Sequence, residues 1–318
     1  MNVRDGNLAI TGGAGYIGSH LSRELLIQGR PHIVIDDLSS GDRSLLDSSV
    51  PFFGVSILDT RRVAKILKDC KIRTVVHLAA LKSVAESVAN PSRYFEVNET
   101  GTKTIVEAMK MAGTHNMVFS STAAVYGEIG NDEAFIESHS MKPSNPYGQS
   151  KSNAELLLRS ACDESELNTV VLRFFNVGGA ISTHLRERKG DNVLSVLWRC
   201  VEEGTPFLIF GNDYETRDGT CIRDYVHVQE LVRAKLRAIS LLEKKELRGL
   251  EVVNLGSGIG FSVLELVREF EAVTGNRINV VYGGRREGDP AVSVADISKS
   301  KDFLGWSPVM TLADIVRG

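Results

Sequence analysis

A phenol and an amine four residues apart, Tyr147 and Lys151, are the side chains best spaced to do chemistry in this 318-residue chain. On a helix the two share one face. There the ammonium can lower the phenol's pKa, turning a group that is neutral near pH 7 into a proton acceptor. Thr122, in the run Ser120-Ser121-Thr122-Ala123-Ala124-Val125-Tyr126-Gly127, supplies a hydroxyl able to steady the same substrate oxygen. Joined to a dinucleotide site, these groups could take hydride and proton together from a secondary alcohol. An enzyme is implied.

The dinucleotide site is read from Thr11-Gly12-Gly13-Ala14-Gly15-Tyr16-Ile17-Gly18, which follows the first apolar run. Gly12, Gly15 and Gly18 make a G-x-x-G-x-x-G. The first two allow a tight turn and close backbone approach, the following helix N-terminus can hold a pyrophosphate, and the third lets helix and strand pack closely. Glycines alone serve many turns, but a strand before, a helix after and an acid beyond make the signature specific. That acid is Asp36, with Asp37 beside it. A carboxylate there can bond the adenosine ribose and would repel the extra phosphate of NADP, so NAD is the expected cofactor. The plainer reading is that Asp36 only caps a loop.

The elements that must position these groups alternate. β-rich runs fall at Leu8–Thr11, His32–Asp36, Phe52–Val55, Thr74–Leu78, Asn116–Ser120 and Thr169–Phe174, with amphipathic stretches at Tyr16–Gln28, Arg61–Cys70, Ser92–Ala112 and Pro146–Cys162. This rhythm predicts an α/β fold, a doubly wound parallel sheet covered on both faces. After Val177 the rhythm breaks and turn-rich islands appear. Residues 1–177 are therefore expected to form a nucleotide-binding domain and 178–318 a smaller substrate lobe. Segments near Ile222–His227 and Val252–Leu255 are expected to return to the main sheet.

Composition narrows the function classes. A chain that is 42% hydrophobic fills one large core and a lesser one. A net charge of −3 offers no basic field for nucleic acid. No apolar run is long enough to span a bilayer, and the polar opening stretch reads as carrying no secretory signal. Cys70, Cys162, Cys200 and Cys221 lack metal-ligand spacing, and no metal site is expected; reduced thiols and a cytoplasmic setting are. The scattered histidines His20, His77, His115 and His227 fit no metal pattern either, and His20 and His77 read as packing.

The glycine motif, the Ser120–Gly127 segment and Tyr147-x-x-x-Lys151 resemble the extended short-chain dehydrogenase/reductase family, whose nucleotide half is a Rossmann domain. Leu172-Arg173-Phe174-Phe175-Asn176-Val177-Gly178-Gly179-Ala180, the stretch from Phe210 to Val228 and Arg285 to Asp289 are similar to the UDP-glucose (UDP-galactose) 4-epimerases within it. The resemblance covers nearly the whole chain. It implies that Tyr147 takes the proton of the sugar 4-hydroxyl, Lys151 tunes the phenol and holds the nicotinamide ribose, and Thr122 shares the bond at the reacting oxygen. A transient 4-keto sugar then turns over within the site.

For NAD the resemblance implies Gly12, Gly15, Tyr16, Ile17 and Gly18 at the pyrophosphate, and Asp36, Asp37, Leu38, Ser56 and Ile57 toward the adenosine. Leu78, Ala79, Ala80 and Lys82 would line the phosphates and ribose, with Asn98 and Ser120 from the interior and Phe174 at the nicotinamide, alongside Tyr147 and Lys151. For the UDP-sugar it implies Lys82, Thr122 and Tyr147 with the polar anchors Asn176, Asn192, Arg223 and Arg286, beside Val193. Leu208 and Phe210 would wall the uracil, Asp289 would take a ribose hydroxyl, and Ser293 would line the sugar pocket. Arginine suits a diphosphate because its planar fork binds two oxygens at once; each arginine alone could equally be a solvated salt bridge. A homodimer formed by pairing the Ser92–Ala112 and Pro146–Cys162 helices is also implied.

Some positions depart from the family's pattern. Ser56 stands for an aspartate, Phe174 for a frequent tyrosine and Val177 for a proline, and Ile181–Asn192 is short and charged. Small Ser293 leaves room for a 2-acetamido group, so the N-acetylhexosamine pair is an expected second substrate. A nucleotide-sugar dehydratase would need an acid and a base where Ala123 and Ala124 stand. An epimerase of a uronic acid or pentose would use the same chemistry, and a non-catalytic nucleotide sensor would tend to lack Tyr147 or Lys151.

Overall fold

The computed structural model describes residues 7–128, 134–187, 190, 192–286 and 288–318. From the N-terminus run β1 (Asn7–Thr11), α1 (Tyr16–Ile27), β2 (His32–Ile35), β3 (Phe52–Phe53), α2 (Thr60–Asp69), β4 (Ile72–His77), α3 (Val84–Ala89) and α4 (Pro91–Tyr94). Next come α5 (Gly101–Ala112), β5 (Asn116–Thr122), α6 (Pro146–Glu164), β6 (Asn168–Phe174), β7 (Asn176–Gly178), α7 (Val193–Glu203) and β8 (Phe207–Phe210). The rest are β9 (Ile222–His227), α8 (Val228–Glu243), β10 (Leu250–Leu255), β11 (Gly260–Ser262), α9 (Val263–Thr274), β12 (Val280–Gly283), β13 (Val292–Ser293), α10 (Ser298–Leu304) and α11 (Leu312–Arg317).

Seven of the described strands form one parallel sheet in the order β10-β6-β5-β4-β1-β2-β3. Its strands are buried on both sides, which is why they read as continuous apolar runs rather than alternating ones. Side chains of β5 alternate between the two layers: Met117 and Phe119 join Ala154 and Leu158 of α6, while Val118 joins Leu231 and Ala238 of α8. The order of connection reverses between β1 and β4, and ligands of open α/β sheets bind at such a point, beyond the strands' carboxyl ends.

The doubly wound α/β architecture is as the sequence predicts. Val252–Leu255 does return to the sheet, within edge strand β10. Ile222–His227 does not: β9 pairs with β7, β11 and β13 in a separate small sheet. Its residue types, Ile-Arg-Asp-Tyr-Val-His, were compatible with either, and only the partner strands decide. Nor does the helical rhythm end at Val177. α8 covers the main sheet, contributing Leu231, Ala238 and Leu242 to the same core as Val118, and α10 and Trp306 extend that layer.

A second core, including Leu197, Phe207, Tyr225, Leu266, Phe270 and Ile315, lies between α7, α9, α11 and the small sheets. The Ser92–Ala112 stretch is not one α-helix; Phe95–Thr100 adopts π-helical turns between α4 and α5. Among the described residues no helix is long and apolar enough to cross a membrane, and no group of histidine, cysteine or acidic side chains could hold a metal ion.

Candidate active site

The N-terminus of α6 delivers Tyr147 and Lys151. Asn145 caps the helix by accepting from Gly148 N at 2.9 Å, and Pro146 opens its first turn. Gly148 is required by contact, since a Cβ there would lie 2.4 Å from the Ala124 carbonyl oxygen. The helix thereby sits hard against the end of β5. Burial pushes the Tyr147 phenol above its usual pKa, and the Thr122 hydroxyl partly offsets the push.

Lys151 is buried, and burial pulls its ammonium down to about 8, Glu155 opposing the fall. Its Nζ donates to the Ser120 carbonyl at 2.9 Å and lies 4.8 Å from the Phe119 ring centre. This differs from the expected pairing: the ammonium is bonded to Ser120, not to the phenol, whose pKa is raised rather than lowered. Glu155 in turn is held by Arg173 (2.6 Å) and Ser121 (2.5 Å). The buried Arg173–Glu155 pair ties α6 to β5 and β6 behind the reacting groups.

The nucleotide side is shaped by glycines. Gly12 has φ +70°, and a Cβ there would come 2.5 Å from Ala79 N. The loops after β1 and β4 are therefore in backbone contact. At Gly18 a Cβ would sit 2.5 Å from the Gly12 carbonyl, so α1 is packed on the loop itself. α1 begins after Gly15 with no side-chain cap, leaving its N-terminal N–H groups to a ligand such as a pyrophosphate. Uncapped helix end and glycine crevice together fit a dinucleotide.

Asp36 is almost buried, and its carboxylate accepts from Ala14 N (3.0 Å) and Leu38 N (2.9 Å). It braces the glycine loop from beneath, so the plain loop-cap reading has substance. Leu38 follows with φ +60° and is exposed with Asp37. Ser56 is half-buried, and Ile57 packs against Gly101 of α5. Leu78, Ala79 and Ala80 form the half-buried loop after β4. Asn98, fully buried, clamps that loop to α6: it bonds Leu81 N (2.8 Å), Leu81 O (3.0 Å) and Ser150 Oγ (3.0 Å). Tyr16 reaches from α1 to the Gly179 carbonyl, and Ile17 packs on the main core.

The small sheets assemble the other side. Register places Arg223 of β9 opposite Ser293 of β13, and Asn176 of β7 opposite Tyr225 of β9. β8 pairs with β12, Phe210 opposite Gly283, so the chain leaving β12 brings Arg286 over the Phe210 ring, 3.8 Å from its centre. Leu208, on the same strand, is exposed. Arg223 is bonded to Asp289 at 2.5 Å. Ser144, just before α6, donates to the Gly288 carbonyl at 2.9 Å and ties this arginine loop to the helix that carries Tyr147.

Asn192 caps α7 through Ser195 N (2.8 Å), with Val193 half-buried behind it. Glu187 bonds both Asn192 and Lys82. Three residues that the sequence reading passed over thus belong here: Glu187, Ser144 and Lys235. Lys235 is fully buried on α8, with Nζ 2.9 Å from Ser120 Oγ and 4.1 Å from the Phe174 ring centre. Its signal was present, because it sits four residues from Leu231 and four from Ile239 on the apolar stripe of its helix.

The chain matches the family described as "NAD dependent epimerase/dehydratase family" over residues 8–256. It is 39% identical to the UDP-glucose 4-epimerase of Lactobacillus helveticus over 310 residues, 94% of this chain and 91% of that one. Among solved structures, the UDP-glucose 4-epimerase of Stenotrophomonas maltophila, with bound NAD and formylated UDP-arabinopyranose, superposes with a TM-score of 0.91 at 37% identity, covering 98% of this chain and 96% of that one. The UDP-Glc/GlcNAc 4-epimerase of Campylobacter jejuni gives a TM-score of 0.85 at 34% identity, covering 98% and 97%. With its uncapped glycine loop, its Tyr147–Lys151 helix and this breadth of likeness, the chain belongs to the NAD dependent epimerase/dehydratase family.

Proposed function

We propose that this protein is an NAD-dependent isomerase that interconverts UDP-glucose and UDP-galactose through a transient 4-keto sugar. One observation carries the reading: a phenol stands one helical turn from a buried lysine, on a helix that Asn98 clamps to the loop after β4 and Ser144 ties to the arginine loop. Tyr147 accepts the 4-hydroxyl proton, and Thr122 holds the oxygen from which it leaves. Lys151 supplies positive charge beside them and a donor for the nicotinamide ribose. NAD, held at the glycine crevice of Gly12, Gly15 and Gly18, would supply the hydride chemistry at C4.

Gly12, Gly15, Tyr16, Ile17 and Gly18, with Asp36, Asp37, Leu38, Ser56, Ile57, Leu78, Ala79, Ala80, Lys82, Asn98, Ser120 and Phe174, would hold the cofactor. Arg223 and Arg286 would clamp the diphosphate, with Lys82, Asn176, Asn192 and Val193 beside it. Asp289 would take the uridine ribose, and Leu208 and Phe210 the uracil. The protein would work in the cytoplasm, consistent with four buried cysteines that form no disulfide among the described residues. It would dimerise through α5 and α6, where Leu156 is 55% exposed. Incubating purified protein with UDP-glucose, with and without added NAD, tests the reading by separation of the 4-epimers; failure to form UDP-galactose under either condition would overturn it.

A second reading extends the substrate range to the N-acetylhexosamine pair. Ser293 favours it, because its small, nearly buried side chain stands opposite Arg223 in register, where a larger residue would take more room. Ser293→Tyr should then lower turnover of UDP-N-acetylglucosamine more than that of UDP-glucose. Equal losses would remove Ser293 from the argument.

A further inference from the structure

Ser120, at the carboxyl end of β5, is the meeting point of two lysines from opposite sides of the sheet. Lys151 comes from α6 and donates to the Ser120 carbonyl at 2.9 Å. Lys235 comes from α8 and lies 2.9 Å from the Ser120 hydroxyl. The alternation of β5 makes this possible: Phe119 faces the α6 layer, so the Ser120 side chain faces the α8 layer. On the neighbouring strand Phe174, paired in register with Thr122, offers its ring to the same amine at 4.1 Å.

A fully buried amine is costly, and a methionine or leucine would fill this place on an apolar stripe more cheaply. Burial pushes Lys235 well below the usual lysine pKa, and the charge of Lys151 adds to the fall. The other titratable groups around the pair are Glu155 on α6 and His77 on β4. Glu155 is engaged by Arg173, and burial holds His77 neutral near pH 7, with a pKa of about 3. Groups so perturbed, retained in a core, are concentrated at functional sites. Ser120 Oγ is the one hydrogen-bond partner of Lys235 Nζ among the described residues.

We propose that Lys235 is a positioning residue for the proton-transfer pair: from the far face of the sheet it holds Ser120, and through the Ser120 backbone it fixes Lys151 beside Tyr147. The inference rests on the roles proposed above for Tyr147 and Lys151. Lys235 donates to Ser120 and not to Lys151 or Tyr147, so the hold it exerts on their positions passes through Ser120. Losing Lys235 should therefore impair the chemical step more than substrate capture by Arg223 and Arg286.

The test is a double-mutant cycle in the full-length protein with Lys235→Met, Ser120→Ala and the double variant. Lys235→Met should lower kcat at least about tenfold, the effect of losing a buried bond of this kind, with KM for UDP-glucose little changed. If Lys235 acts through Ser120, the double variant is no slower than the slower single variant within about twofold. Amide hydrogen exchange without substrate supplies a readout independent of turnover: about a tenfold rise at Ser120–Thr122, with β1 unchanged, marks local loosening. Equal rises in β1 and β5, multiplicative losses in kcat, or an unaltered kcat would each overturn the proposal. Should Lys235→Met fail to fold, Lys235→Gln, which keeps a polar donor on a shorter stem, enters the same cycle under the same criteria. An inactive wild-type protein would fail the isomerase reading instead, and the exchange experiment would still decide the role of Lys235 at Ser120.

Discussion

Around Gly12, Asn98 and Ser120, polar atoms are held by backbone and by buried side chains, whereas around Lys82 and Arg223 charged side chains hold one another. The nucleotide crevice has its shape before any ligand arrives, because glycine loops in backbone contact cannot relax into it. The side proposed to take the diphosphate keeps two of its cations in internal pairs, Arg223 with Asp289 and Lys82 with Glu187. Under the function proposed above, an incoming UDP-sugar exchanges partners there. One side is preorganised; the other is an exchange surface, suited to a ligand that enters and leaves.

The comparison can be broken hardest at the reacting phenol. Tyr147→Phe should cut kcat by about 10²–10⁴-fold, the usual range for a lost acid/base group, while binding of NAD and UDP persists. Calorimetric titration of UDP alongside stopped assays would check both halves; near-normal kcat would take Tyr147 out of the mechanism. Arg223→Leu comes next. Losing a charge-assisted bond of about 1.5–3 kcal/mol predicts a KM for UDP-glucose raised about ten- to a hundredfold, with retained NAD unaffected. A matching loss of NAD would mean that the two sides are not separate.

The pH dependence sharpens the same contrast. The Lys151 ammonium titrates at about 8 in the folded protein against 10.5 ordinarily. Activity that needs the charge should fall above about 8, by up to about tenfold per pH unit. Stability moves the other way: between about 8 and 10.5 the unfolded chain binds the proton more tightly, so this residue favours folding increasingly as pH rises through that window. A melting temperature that collapses together with kcat just above pH 8 would argue against Lys151 as the cause. The smallest effect is expected at the exchange surface. Glu187→Gln removes a partly exposed ion pair of about 0.2–1 kcal/mol, so KM should fall by no more than about fivefold. A rise in KM would instead make Glu187 a ligand to the substrate.

Placement carried by local spacing was legible in the sequence. The glycine loop, Asp36 and the Tyr147–Lys151 turn act within one or two elements, and their positions follow from strand and helix period alone. What depended on partners distant in the chain was not. β9 could have joined either sheet until β7, β11 and β13 chose it. Lys235, passed over in the sequence, stands between Arg233 and Arg237, both exposed, although the apolar stripe through Leu231 and Ile239 runs across it. Glu187 lies in a charged loop with no period, and nothing local forecasts its meeting with Lys82. The bond of Lys151 to Ser120 also lay beyond sequence reading, since it depends on how closely α6 approaches β5.

The edge strand β10 and the covering helix α8 come from beyond residue 227, yet they complete the sheet that begins at residue 7. During synthesis, therefore, the apolar flank formed by Val118, Val170 and Leu172 has no lid until much of the remaining chain has emerged from the ribosome. A fragment ended at Val177 would keep every glycine of the nucleotide loop and still expose that flank. For this molecule the nucleotide-binding body is not a prefix of the polypeptide but something closed late, from its far end.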